Sequence, residues 1–177
     1  MQDDMKSKRL ILLCLLCLGL NGCAKVLPLN YTNYEGIDAA TLYVLNSQGN
    51  VGTIYLASYV YNNKDSCYDM SDRYELDSNF FKAKGSVITA RIKPGVFYSV
   101  SQIRNDGRFI ENTDSSVIPE AGKSYYVSSG SRAVQVPDSF RPDASESPDE
   151  VVKVYGNNKV TYWNVKKICS RPFWKIG

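Results

Sequence analysis

The sequence predicts an all-β fold: a single antiparallel β-sandwich behind an N-terminal leader and a flexible tether. Three observations carry this expectation. Runs rich in β-branched and aromatic residues recur at 41–45, 53–61, 86–92 and 96–101, at lengths that suit strands rather than helices. Turn residues punctuate them at short intervals, a spacing that favours an antiparallel sandwich over a parallel sheet. Once the leader is set aside, the remaining chain has the length of one ordinary domain with tails, enough to bury a real core.

The leader comes first. Lys6, Lys8 and Arg9 precede an uninterrupted apolar run at 10–20. That is the charge order of an export signal, and the run is too short to span a bilayer. Asp3 and Asp4 lie ahead of the basic residues, so a start at Met5 gives the more ordinary signal and is the expected one. The run ends in Leu20-Asn21-Gly22-Cys23, which resembles the signal-peptide box of bacterial lipoproteins: a Leu, two small residues and a Cys. Asn21 departs from the Ala or Ser usual at its position. The resemblance implies a signal peptide at 1–22 and a mature chain beginning at Cys23, with palmitate-type diacylglycerol on the thiol and an N-acyl chain on the amine. No other cofactor is expected. Three acyl chains exceed the two signals that stable anchoring needs, so the membrane is the first partner. Ala24 stands where an Asp would imply inner-membrane retention, so the resemblance points to the outer membrane, on its periplasmic face. A plain secretory signal with a chance Cys, or an uncleaved anchor, would export the domain equally.

Residues 23–38 show little periodicity and read as a lipidated N-terminus and tether. Roughly fifteen flexible residues would let the domain stand about 20 Å from the lipid on average. The sandwich is expected at 39–136. Within it Ile88, Ala90 and Ile92 share one face and Thr89 and Arg91 the other, as in a sheet wet on one side. Lys93-Pro94-Gly95 supplies a tight turn that makes 86–101 a hairpin. Asn105-Asp106-Gly107 and Glu120-Ala121-Gly122-Lys123 mark two further turns, the second feeding a strand at 124–128. The segments Ile92-Lys-Pro-Gly-Val-Phe-Tyr-Ser-Val and Pro119-Glu-Ala-Gly-Lys-Ser-Tyr-Tyr-Val together resemble a pattern of small bacterial lipoproteins. Those lipoproteins are similar to transthyretin-like or carboxypeptidase-regulatory-like sandwiches. The resemblance covers about a quarter of the chain and implies a fold without a function, because such sandwiches host many roles. Known examples include envelope and secretion-machine subunits, among them the outer-membrane lipoprotein of type VI secretion.

The 137–150 segment is acidic, rich in Ser and Pro and almost free of apolar residues, and reads as a solvated loop or linker. The 151–177 segment carries no acid. Val151 to Tyr155, the turn Gly156-Asn-Asn-Lys and Val160 to Val165 suggest a basic, aromatic hairpin packed on the domain. Charge is thus polarised along the chain even though the total is nearly balanced. Its 21 Lys and Arg lose three with the leader and its 18 acids lose two, leaving a net charge of +2.

Cysteine usage agrees with export. Cys14 and Cys17 lie in the apolar run and leave with it, and Cys23 takes the lipid. The remaining pair, Cys67 and Cys169, is expected to be bonded, because disulfides form and persist outside the cytoplasm. The alternative is two separately buried thiols.

Most catalytic chemistries lack their residues. The chain has no histidine, which excludes Ser-His-Asp and Cys-His hydrolysis, His-ligated zinc and imidazole proton shuttles. No Ser-x-x-Lys or Gly-x-Ser-x-Gly occurs in the mature chain. Asp69, Asp72, Glu75 and Asp77 cluster after Cys67 and leave a carboxylate-dependent hydrolase as a third reading, although a polar loop is the simpler account. They lack the residue order of a calcium loop. No metal is expected, and the chain reads as a non-enzyme.

The candidate binding surface is Tyr162, Trp163, Lys166, Lys167, Arg171 and Trp174. Aromatic faces stack on sugars while cations hold carboxylates or phosphates, so peptidoglycan and lipopolysaccharide are candidate ligands. Trp, Tyr and Arg also dominate protein-binding hot spots. In the bland alternative Val160 and Tyr162 face the core and Trp163 covers an edge. Nucleic acid is disfavoured by the compartment. The leading expectation is a non-enzymatic structural or assembly component of an envelope or secretion complex with a protein partner; the alternative is a glycan-binding lipoprotein.

Overall fold

A computed structural model of the chain describes residues 29–46, 52–77, 85–105, 110–128, 133–143, 147–158, 160, 168 and 169. Their strands form two sheets. In the five-stranded sheet the order is β1 (Leu29–Asn30), β4 (Cys67–Asp77), β3 (Gly52–Asn62), β6 (Phe97–Asn105) and β7 (Ile110–Val117). In the four-stranded sheet it is β5 (Val87–Ile92), β2 (Ala40–Leu45), β8 (Ser124–Val127) and β9 (Val134–Val136). The described residues form an all-β sandwich with one short helix, α1 (Pro148–Tyr155). Neighbours pair antiparallel except at β1 with β4 and β2 with β8, where parallel pairing makes both sheets mixed.

Period-two alternation builds the space between the sheets. From β2 come Ala40, Leu42 and Val44, from β5 Ile88, Ala90 and Ile92, from β3 Ile54 and Leu56, and from β6 Tyr98 and Val100, all buried in one cluster. Thr89 and Arg91 are exposed on the other face of β5, as the alternation requires. A polar side chain also enters this layer: Gln102 is buried, and its Nε2 donates to the Leu45 carbonyl at 2.9 Å, tying β6 to β2 across the core.

Several expectations are corrected. Residues 86–101 are not a hairpin, because β5 and β6 belong to different sheets. Lys93-Pro94-Gly95 instead arches between the layers, with Gly95 at φ 72° and its N–H on the Pro119 carbonyl at 2.8 Å. A turn flanked by alternating strands serves an arch as well as a hairpin, so local sequence does not separate them. The carboxylates at 69–77 lie on a strand, β4, where pairing with β3 along its whole length overrides their poor strand propensity. A bulge lets β4 bend there: the register shifts between Ser58 and Tyr59, and the extra residue, Ser71, donates its hydroxyl to the Ser58 carbonyl at 3.1 Å.

The C-terminal hairpin is likewise corrected, since Val151–Tyr155 is helical. Its valines favour strands, but Pro148 presets the first turn and Asp149 and Glu150 complement the helix dipole there. Burying Val151, with Val152 and Tyr155 half-buried beside it, against the outer face of the four-stranded sheet then decides the matter. The 137–150 loop is not wholly solvated. Phe140 is buried and meets Tyr43, Tyr126 and Tyr155 edge to face, each at a centroid distance of 5.8 Å.

Candidate functional site

The segment that carries the chain from Cys23 into the sandwich is the first element of interest. The tether expected at 23–38 is docked from Leu29 onward. β1 pairs parallel with β4 at Tyr74 and Glu75, and the Tyr31 N–H continues the ladder to the Glu75 carbonyl at 3.1 Å. The Tyr31 ring packs on the inter-sheet core and meets Tyr74 at 5.5 Å, while its hydroxyl donates to the Arg91 carbonyl at 2.6 Å. Asn33 Oδ1 accepts from the Arg91 N–H at 2.8 Å and the Tyr34 N–H donates to the Arg91 carbonyl at 2.9 Å. The Arg91 guanidinium answers by donating to the Gly36 carbonyl at 3.0 Å. This arm therefore spans the open side of the sandwich, from the edge strand region of one sheet to β5 of the other. A Cβ at Gly36 would meet the outer atoms of the Tyr34 ring, so a larger residue there would have to push that ring aside.

Burial pushes the Tyr31 phenol far above its ordinary value and raises Tyr98 and Tyr125 as well, while Tyr34 is raised by its hydrogen bond to Asp38. These phenols stay protonated across physiological pH. They hold hydrogen bonds rather than carry protons, and the Tyr125 hydroxyl accepts from the Glu120 N–H at 2.9 Å.

The second element is a clasp on the same strand. Cys67 and Cys169 are bonded, with Cα atoms 5.0 Å apart and 102 positions between them in sequence. Ile168 bridges Tyr68 in parallel, and the Cys169 N–H donates to the Tyr68 carbonyl at 3.0 Å. β4 is thus flanked twice along its outer edge, by β1 near its end and by Ile168 and Cys169 near its start.

Beside the clasp the outer face of the five-stranded sheet carries an aromatic row. Tyr59 meets Phe97 at 5.3 Å, Phe97 meets Tyr68 at 5.2 Å and Tyr68 meets Tyr61 at 5.1 Å. Tyr55, Tyr59 and Tyr61 share this face, as their parity predicts. Tyr55 and Tyr59 are half-buried and Tyr61 is 44 % exposed, so the row is neither simple core nor an open stripe. Arg73 caps it, its guanidinium 3.9 Å from the Tyr55 ring centroid.

A shallow groove of about 550 Å³ lies between β9 and the end of α1, with Glu120, Lys123, Gln135, Tyr155 and Asn158 on its walls. Asn158 Nδ2 donates to the Gln135 carbonyl at 2.7 Å and shields that sheet edge. Asp69, Asp72 and Glu75 are strung along β4 rather than gathered round a cleft, and Asp69 accepts from Asn62 Nδ2 at 2.9 Å. Among the described residues no three side chains are placed to hold a metal ion.

Cys23, Tyr162, Trp163, Lys166, Lys167, Arg171 and Trp174 lie outside the described residues. Val160, which the alternative to a binding surface placed in the core, is buried there. Sequence reasoning missed Tyr31, Asn33 and Phe140 as anchors. The signal available was aromatic: a tether or solvated linker has no use for Tyr31, Tyr34 or Phe140. No protein family, no curated protein and no solved structure matches this chain.

Proposed function

We propose that the protein is a lipid-anchored lipoprotein of the outer membrane, facing the periplasm, and that it acts non-enzymatically as a structural or assembly component of an envelope or secretion complex. One observation carries the reading furthest. A chain whose leader is read as ending just before Cys23 closes its remaining cysteines, Cys67 and Cys169, into a bond that belongs to an oxidising compartment. The complete lack of histidine supports a non-catalytic role, because it removes the usual general base of exported hydrolases.

The partner is a protein in this reading. The test is to purify the full-length protein from detergent-solubilised membranes, weigh its mature N-terminus and identify what co-purifies, with Cys23→Ala in parallel. A triacylated Cys23 and a fixed set of envelope proteins lost in Cys23→Ala is the expected result. Peptidoglycan fragments as the sole companions would replace it with the glycan-binding reading.

A further inference from the structure

We propose that the bond between Cys67 and Cys169 is a redox latch: a dithiol opens it in the folded protein and frees Ile168 and Cys169 from the edge of β4, while the sandwich stays intact. The proposal does not depend on acylation of Cys23. Its first ground is the position of the bond, which joins the first residue of β4 to a residue outside every described strand. Cys67 and Cys169 are both only half-buried, Ile168 beside them is 38 % exposed, and neither cysteine belongs to the inter-sheet core. Solvent-accessible disulfides are the labile ones, because exchange requires a thiolate to reach one of the sulfurs.

The second ground is how little else holds the latched residues. Between 168–169 and β4 there is one parallel bridge, Ile168 with Tyr68, and one hydrogen bond, from the Cys169 N–H to the Tyr68 carbonyl at 3.0 Å. An isolated bridge has no ladder behind it, so the covalent bond is what keeps these residues in place. β4 needs nothing from them, since it pairs with β3 from Cys67 to Asp77 along its other side. The core does not need them either: among the described residues the inter-sheet cluster ends at Val160. In the chain-entropy account the bond stabilises by restricting the unfolded chain, so reduction lowers stability without removing any packing between the sheets.

The exchange balances as follows in chemical terms. A thiolate of the dithiol attacks one sulfur, a mixed disulfide forms as the S–S bond breaks, and the departing cysteine takes a proton. The second thiol of the reductant then displaces the other cysteine, which is protonated in turn. The protein gains two electrons and two protons, and the dithiol leaves as a disulfide. The Tyr68 carbonyl loses its donor, and Val160 becomes the last described anchor of the chain.

The test treats the full-length protein in native buffer with a reduced thioredoxin-type dithiol protein, and with dithiothreitol in parallel. Free thiols are mass-tagged and located by peptide mass, while amide exchange is followed at Cys169 and in β2. Tags should appear on Cys67 and Cys169 while β2 keeps its protection, and exchange at Cys169 should rise by roughly tenfold or more. Reoxidation should restore it. No tagging, or tagging only as fast as the β2 amides open, would overturn the proposal. So would loss of β2 protection on reduction, or a Cys169 amide as protected after reduction as before it.

Discussion

The inner face of the four-stranded sheet is buried from β5 to β8 and the outer face only beyond β5, where Thr89 and Arg91 stay exposed, and the two are covered by different means. The inner face meets another sheet through aliphatic residues delivered at every second position: Ala40, Leu42 and Val44 on β2 and Ile88, Ala90 and Ile92 on β5. The outer face, with Tyr43, Leu45, Tyr126, Val134 and Val136, meets no sheet. It is covered by Phe140 from an irregular segment and by Val151 from an eight-residue helix. The inner layer is distributed over many interchangeable methyl contacts, whereas the outer one hangs on a single hub, with three aromatic partners round Phe140. A short helix has no stability of its own, so that layer persists only while its apolar face is docked.

Predictions that sharpen or break this comparison run from the largest effect to the smallest. Leu42→Ala or Leu56→Ala should destabilise the fold by about 3–5 kcal/mol in denaturant unfolding, since both are fully buried between sheets. Replacing Cys67 and Cys169 together by Ser should cost about 2–5 kcal/mol by freeing so long a loop in the unfolded chain. Unchanged thermal unfolding of that double variant would show the clasp to be mechanically idle. Phe140→Ala should cost about 3 kcal/mol globally, and should raise amide exchange in α1 well before exchange in β2. If α1 and β2 instead exchange together, the two faces form one cooperative unit and the contrast fails.

The smallest effects belong to the arm. Tyr31→Phe removes one hydroxyl bond to the Arg91 carbonyl and should cost about 1 kcal/mol. Burial raises the phenols of Tyr31, Tyr98 and Tyr125 above their ordinary value of 10.0. The folded state therefore holds protons that the unfolded chain gives up. Their contribution is complete below about pH 10 and declines as pH rises beyond it, so stability should fall on the alkaline side. Tyr31→Phe should flatten part of that decline, and a slope that does not change would remove Tyr31 from the responsible groups.

The sequence by itself determined the strands whose side chains alternate, the Gly122 turn, the cysteine pairing and the lack of histidine chemistry. Alternation is a local property, and when one face is apolar and the other polar the register follows from it, as in β5. The pairing of Cys67 with Cys169 was expected by subtraction, because two of the other cysteines lie in the apolar leader run and the third, Cys23, ends the lipoprotein-like box. Tertiary structure alone decided what pairs with what. The 93–95 turn became an arch because the strands on either side of it found partners in different sheets. The carboxylates of β4 became a strand because β3 offered a complete ladder. Val151–Tyr155 became a helix because a sheet face needed covering, and residues 29–38 of the apparent tether became an arm because Tyr31 packs against the inter-sheet core. In each case the deciding free energy comes from burial against residues distant in sequence, which no local window contains.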